Sequence, residues 1–103
     1  MIITTCENIP GQSLMPLGLV RGNVVWSKNI GRDVMASFKN IAGGEVKSYT
    51  LLTNEAREVA IQRMMEDAAN LGADAITMTR FSESVPSQGM VEIFCYGTAV
   101  KFV

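Results

Sequence analysis

Apolar positions along this chain change period several times, and each change marks an element. Ile2-Ile3-Thr4-Thr5 is β-branched throughout and predicts a short strand, closed by a turn at Asn8-Ile9-Pro10-Gly11. Leu17 to Ser27 predicts a longer strand, with Val20, Val24 and Trp26 on one side and Leu17, Leu19, Arg21 and Val25 on the other. Gly18 and Gly22 share a face of that strand. Glycine inside a strand marks a bulge or a close approach, so a helix is expected to sit tightly there.

From Ile30 to Ala42 the spacing turns helical, with Val34, Phe38 and Ile41 on one face and Asp33 in the first turn, where a carboxylate suits the helix dipole. Gly43-Gly44 follows directly. A phosphate-cradling loop would need a preceding strand and a Lys-Ser/Thr pair opening its helix. Here a helix precedes the glycines and Glu45-Val46-Lys47-Ser48 follows, so they predict a corner between two helices. The second helix spans about Ser48 to Leu71, with Leu52, Ala56, Val59, Ala60, Met64, Ala68 and Leu71 on one stripe. Gly72 ends it. Ser48 is a candidate N-cap, and Thr53 or Asn54 would serve if the helix restarted after an irregular first turn.

Ala73 to Ser84 alternates as a strand, with Ile76 and Met78 expected toward the helices and Thr77, Thr79 and Phe81 on the other face. Pro86-Ser87-Gln88-Gly89 makes a turn into a final strand from Met90 to Val103. In that strand Val91, Ile93, Cys95 and Ala99 occupy one face, and Met90, Phe94, Tyr96, Val100 and Phe102 the other. Two helices on one side of a small sheet cannot cover both of these apolar faces, and another copy of the chain is the simplest second cover. The expected architecture is α+β: a small antiparallel sheet with the final strand in the middle and two helices on one face. The short N-terminal strand either extends this sheet or pairs with a neighbouring subunit's edge.

At 103 residues this is one domain, residues 1–103, with no visible linker or repeat. Only 18% of residues are charged against 48% hydrophobic, which leaves few charges to cover a small globule and again points to a partner subunit. Nine Lys and Arg against ten Asp and Glu leave no electrostatic footprint for nucleic acid or an anionic membrane. No apolar run approaches the ~20 residues of a membrane span. The N-terminus lacks the pattern of a signal peptide, so a cytoplasmic location is expected. Two cysteines outside any CxxC pair fit a reducing compartment.

The chemistry is sparse. The chain contains no histidine, which excludes a Ser-His-Asp or Cys-His relay, so a non-enzyme is expected. Cys6 and Cys95 are weak metal candidates, because a structural zinc site normally takes four N or S ligands and one chain offers two. Glu55, Glu58, Glu66 and Asp67 fit a solvated helix face with Arg57 and Arg63 as partners. Arg80 lies beside residues expected to point inward, so its charge should be paired. Glu45, Tyr49, Arg57 and Arg80 are therefore candidates for a ligand-binding polar pocket, with an ion-pair network that holds the subunit together as the competing reading. The seven methionines fit core and interface filler better than a soft-metal surface.

The stretches LGLVRGNVV, RDVMASFKNIAGGEVKSYTLLTNEAREVAIQRMMEDAANLGADAI and YGTAV resemble the YbjQ family of small bacterial and archaeal proteins of unknown function that carry a heavy-metal-binding label. The resemblance runs from Thr4 to Val100. Its most specific pieces are Gly43-Gly44-Glu45, Tyr49-Thr50, Ala56-Arg57-Glu58, Gly72-Ala73 with Ala75, and Gly97-Thr98-Ala99-Val100. It implies a dodecin-like two-layer subunit assembled as a ring pentamer, with a stacked decamer as a further form. It identifies no cofactor and offers a heavy metal by label only, and Cys6 and Cys95 fall outside the matched motif positions. Two functions follow: a non-enzymatic homo-oligomer that binds a small ligand or ion in a pocket or between subunits, or a ring that serves as an interaction scaffold.

Overall fold

The computed structural model describes residues 1–27 and 47–103; the predicted first helix, the Gly43-Gly44 corner and Glu45 lie outside them. The described elements are β1 (Ile2–Ile3), β2 (Leu14–Trp26), α1 (Lys47–Asn70), β3 (Ala75–Ser84) and β4 (Val91–Phe102). The strands form one sheet in the order β1-β3-β4-β2. The final strand does sit in the middle, antiparallel to both β2 and β3. The sheet is mixed rather than wholly antiparallel, because β1 extends the same chain's sheet by pairing parallel with β3 at Ile2↔Ala75 and Ile3↔Ile76.

Helix α1 is continuous, and its first residue, Lys47, places Ser48 inside the helix rather than at its cap. The helix does not restart at Thr53, whose hydroxyl instead donates back to the Tyr49 and Thr50 carbonyls within the helix. At its other end Ala73 N–H donates to Ala68 O and Gly72 N–H to Ala69 O, a Schellman closure with Gly72 at φ 75°. The stripe read from the periodicity is the buried one. Leu52, Ala56, Ala60, Met64 and Ala68 are essentially fully enclosed, and only Leu71, past the last turn, is exposed.

That stripe packs on Val20 and Val24 of β2 and on Val91, Ile93, Cys95 and Ala99 of β4. Ala56, Ala60 and Ala68 in this stripe let the helix come close. A Cβ at Gly22 would lie 2.1 Å from Ala60 O and 2.6 Å from Met64 N, so β2 and the helix backbone touch there. Gly18 plays no such part among the described residues, none of which lies within 4 Å of its Cβ position. The β2–β4 register shifts between Pro16 and Gly18, which is why Leu17 packs against the core instead of joining Leu19 on the opposite face.

A second bulge, in β3, overturns the alternation expected there. The β3–β4 register breaks between Thr77 and Arg80, with Met78 at φ 57°. Met78 is 40% exposed instead of facing the helix, and Thr79 is buried. Beyond the bulge the faces are exchanged. Phe81 pairs in register with buried Cys95 on the helix side, and Arg80 pairs with Tyr96 on the outer side. The cause is non-local. Thr4, on the segment after β1, donates to Ile76 O and accepts from Thr79 N–H, while Cys6 O accepts from Met78 N–H. These bonds satisfy the backbone groups that the bulge removes from the β3–β4 ladder.

Two stability measurements test this packing. Gly22→Ala drives a methyl into helix backbone that cannot give way locally, so urea denaturation should show a loss of about 3 kcal/mol or more. Thr79 Oγ1 is buried without a hydrogen-bond partner among the described residues, so Thr79→Val should be neutral or stabilise by about 1 kcal/mol in the same assay. A marked loss in Thr79→Val would mean that the hydroxyl has a partner.

Candidate functional site

Of the residues singled out from the sequence, Arg57 and Arg80 lie on opposite faces of the sheet, and Glu45 lies outside the described residues. Arg57 projects from α1 to the helix side of the sheet, where its Nε and Nη2 donate to the two Glu83 carboxylate oxygens at 2.5 and 3.0 Å, and its Nη1 donates to Asn54 Oδ1. The partner of Arg57 is thus a strand residue, not the helix acids that i,i+4 spacing suggested. Arg80 is on the opposite face. Its Nη1 donates to Thr79 O at 2.9 Å and, more weakly, to Thr5 O at 3.4 Å, and no carboxylate among the described residues pairs with it. The inward position expected of Arg80 is corrected by the bulge, which turns the side chain out. Tyr49 is packed against the core with its hydroxyl donating to Met90 O, and burial pushes that hydroxyl's pKa up.

The cysteines are equally separate. Cys95 is buried in the core with its thiol against Gly22 O at 3.4 Å, and burial raises its pKa, which makes it a poor nucleophile and a poor metal ligand. Cys6 is exposed at the loop after β1. Among the described residues no three His, Cys, Asp or Glu side chains gather where a metal ion would sit.

Of the concave regions among the described residues, two border the strands of the sheet. The first borders β2 as a sheet edge: Asp67 accepts from Arg21 N–H at 3.2 Å, and Arg63 donates to Asn23 O at 2.8 Å. These helix side chains bond to the strand's outward-facing backbone as a neighbouring strand would, which protects the edge. Asp67 and Arg63 of that groove are thereby engaged. The second is a cavity of about 310 Å³ on the outer face of the sheet, beneath the loop between β1 and β2. Glu7 and Asn8 form its rim. Thr77 and Thr98, cross-strand neighbours, and Leu14, Val100 and Met78 form its floor and wall. Loop cover explains why Val100 is 3% exposed although it points away from α1.

Beyond the loop the outer face is bare of any described element. Leu19 is 69% exposed, Val25 47% and Tyr96 38%, with Phe94 and Tyr96 rings 5.6 Å apart. Arg21 and Arg80 flank Tyr96 in register, and Glu92 lies at the far end. Sequence reasoning found this face through the two-sided apolar pattern of the last strand. It missed the cavity, because Asn8 read only as the start of a turn, Glu7 just before it carried no reading, and the threonines read as ordinary strand residues. An acid beside a turn, with no basic neighbour in sequence, was the one available signal.

The Arg57–Glu83 pair gives a pH prediction. Hydrogen bonding and attraction from Arg57 lower the Glu83 pKa, so the pair's contribution is full above the ordinary glutamate range and is lost as pH falls through the folded value. Both side chains are more than a third exposed, so the contribution is under about 1 kcal/mol. Thermal melts of Glu83→Gln should therefore lie below the wild type at pH 7 and converge with it by about pH 3. A constant offset across that range would assign the loss to packing.

A sequence model of the YbjQ family, described as "Putative heavy-metal-binding", matches residues 1–103. A UPF0145 protein of Vibrio campbellii is 55% identical over 104 residues, covering all of both chains. One from Thermotoga maritima is 54% identical over 102 residues, covering 98% of this chain and 96% of its own. The fold is similar to that of a Pediococcus pentosaceus protein of unknown function from the DUF74 family, with a TM-score of 0.65 at 16% identity over 100% of this chain and 98% of that one. No described helix is long and apolar enough to cross a membrane. With the match running the full length and identity above half, the chain belongs to the YbjQ, or UPF0145, family.

Proposed function

We propose that the protein is a non-enzymatic homo-oligomer whose subunits associate through the outer face of the sheet and that carries a small-ligand site on the same face. The observation that supports this most is the covering of one sheet face by α1 while Leu19, Val25 and Tyr96 lie exposed on the other, beside a half-buried Phe94. A second copy is the occupant this face fits. Its apolar centre is bordered by Arg21 and Arg80 and by Glu92, so both signs of charge are present at its margin for a neighbouring subunit of the same near-neutral chain to meet. A partner of strong single charge has no such match.

The family resemblance adds the form of the assembly, a dodecin-like ring pentamer with the decamer as its stacked form. A ring needs a heterologous contact, in which the outer face of one subunit meets a different surface of the next. The heavy-metal label has little support in the side chains: Cys95 is enclosed, and Cys6 has no described cluster around it. The scaffold alternative keeps the ring and dispenses with the ligand. The open cavity under the β1–β2 loop favours the binding reading over it.

Native mass spectrometry of the metal-free protein should give a pentamer or a multiple of it, with no change in mass on adding zinc or copper. Leu19→Glu places a charge in the apolar contact and should shift the population to monomer, since a penalty of about 3 kcal/mol or more weakens each contact over a hundredfold. A wild-type monomer would defeat the association reading. Stoichiometric metal uptake that disappears in Cys6→Ser would establish the thiol as a ligand instead.

A further inference from the structure

We infer that the cavity under the β1–β2 loop binds a small organic ammonium ion, an amine head on a short apolar body, with the Glu7 carboxylate as its counter-ion. This rests on the ligand-binding part of the proposed function and deepens it by assigning the site and the chemical class of its occupant.

The polar groups around the cavity are free to act. Glu7 has no ion-pair partner among the described residues, and neither the Asn8 amide nor the Thr77 and Thr98 hydroxyls hydrogen-bond to another described side chain or to the backbone. Elsewhere Arg57 is engaged by Glu83, Arg63 by Asn23, Asp67 by Arg21, and Lys101 by Gly72 and Asp74. One carboxylate, one amide and two hydroxyls provide acceptors for the three donors of an ammonium and a single compensating charge. They provide no cation for an anionic ligand. Leu14, Val100 and Met78 supply the apolar wall that a bare inorganic cation would not use. At about 310 Å³ the cavity lies at the small end of the range of ~300–1,000 Å³ for ligand sites.

Met78 gives an independent reason to see a built site. At φ 57° it holds a backbone conformation that glycine adopts freely and that costs other residues about 1 kcal/mol or more. The bulge alone would be satisfied by glycine. A methionine there puts a flexible apolar side chain on the cavity wall at the expense of that strain. The hydrogen bonds that hold the bulge, from Met78 N–H to Cys6 O and from Thr79 N–H to Thr4 O, come from the same loop that carries Glu7 and Asn8. One set of contacts therefore positions both walls.

The test is an amide-resolved NMR titration of the full chain at neutral pH with hexylammonium, and with hexanoate as the matched anion. Saturable shifts at Asn8, Thr77 and Thr98 with hexylammonium, and none with hexanoate, are expected. Glu7→Gln should weaken binding about tenfold or more. Glu66→Gln, which removes an equal charge from the helix-side groove, should leave binding unchanged. Absence of saturable shifts, equal binding of hexanoate, or an unaffected Glu7→Gln variant would each overturn the assignment. Native mass measured on the same samples separates the two proposals: an intact oligomer that ignores the amine defeats only the site, and a monomer that binds it defeats only the association.

Discussion

The contact on which the structure depends is the one between the backbone of α1 and the backbone of β2 at Gly22. With Ala60 O and Met64 N occupying the space where a side chain would be, the helix lies as close to the sheet as two backbones allow. This closeness lets a single stripe of mostly small residues, Ala56, Ala60 and Ala68 with Leu52 and Met64, fill the interlayer space against Val20, Ile93 and Cys95. It also decides the sidedness of the molecule. Once β2 and β4 are committed to the helix on one face, their other side chains have only the segment after β1 as described cover from their own chain.

The outer face is then divided by the N-terminal segment. Residues after β1 cross one end of it, burying Val100 and roofing the cavity, while the end around Leu19 and Tyr96 stays open. The same segment supplies the hydrogen bonds that stabilise the β3 bulge. A short strand of two residues thus has consequences well beyond its own pairing: it extends the sheet, exchanges the faces of Arg80 and Phe81, and brings Glu7 over the threonines of the central strands.

Much of the fold was legible because its signals are periodic and local. The α1 stripe followed from a 3.6-residue spacing that no neighbour disturbs, and its end followed from Gly72, whose positive φ closes the last turn. The position of the last strand in the middle of the sheet followed from a right-handed crossover that leaves room for it between its predecessors. The candidate site was much less legible. Thr77-Met78-Thr79 alternates smoothly in sequence, and nothing in it announces an inserted residue, so Arg80 was placed with the inward set when it belongs with Tyr96. Arg57 was given helix partners because i,i+4 neighbours are visible in sequence and Glu83 on a strand is not.

By itself the sequence determined the element types, the helix face that is buried, the absence of histidine chemistry and the excess of apolar surface over what one helix layer can cover. Each of these depends on residue identity and on spacing within an element. The tertiary structure decided which side chains share a face beyond the bulges, which acid pairs with Arg57, and that Glu7, Thr77 and Thr98 meet around one cavity. These outcomes depend on hydrogen bonds between the N-terminal segment and β3, and a bulge exists only where such distant donors and acceptors compensate the ladder it breaks.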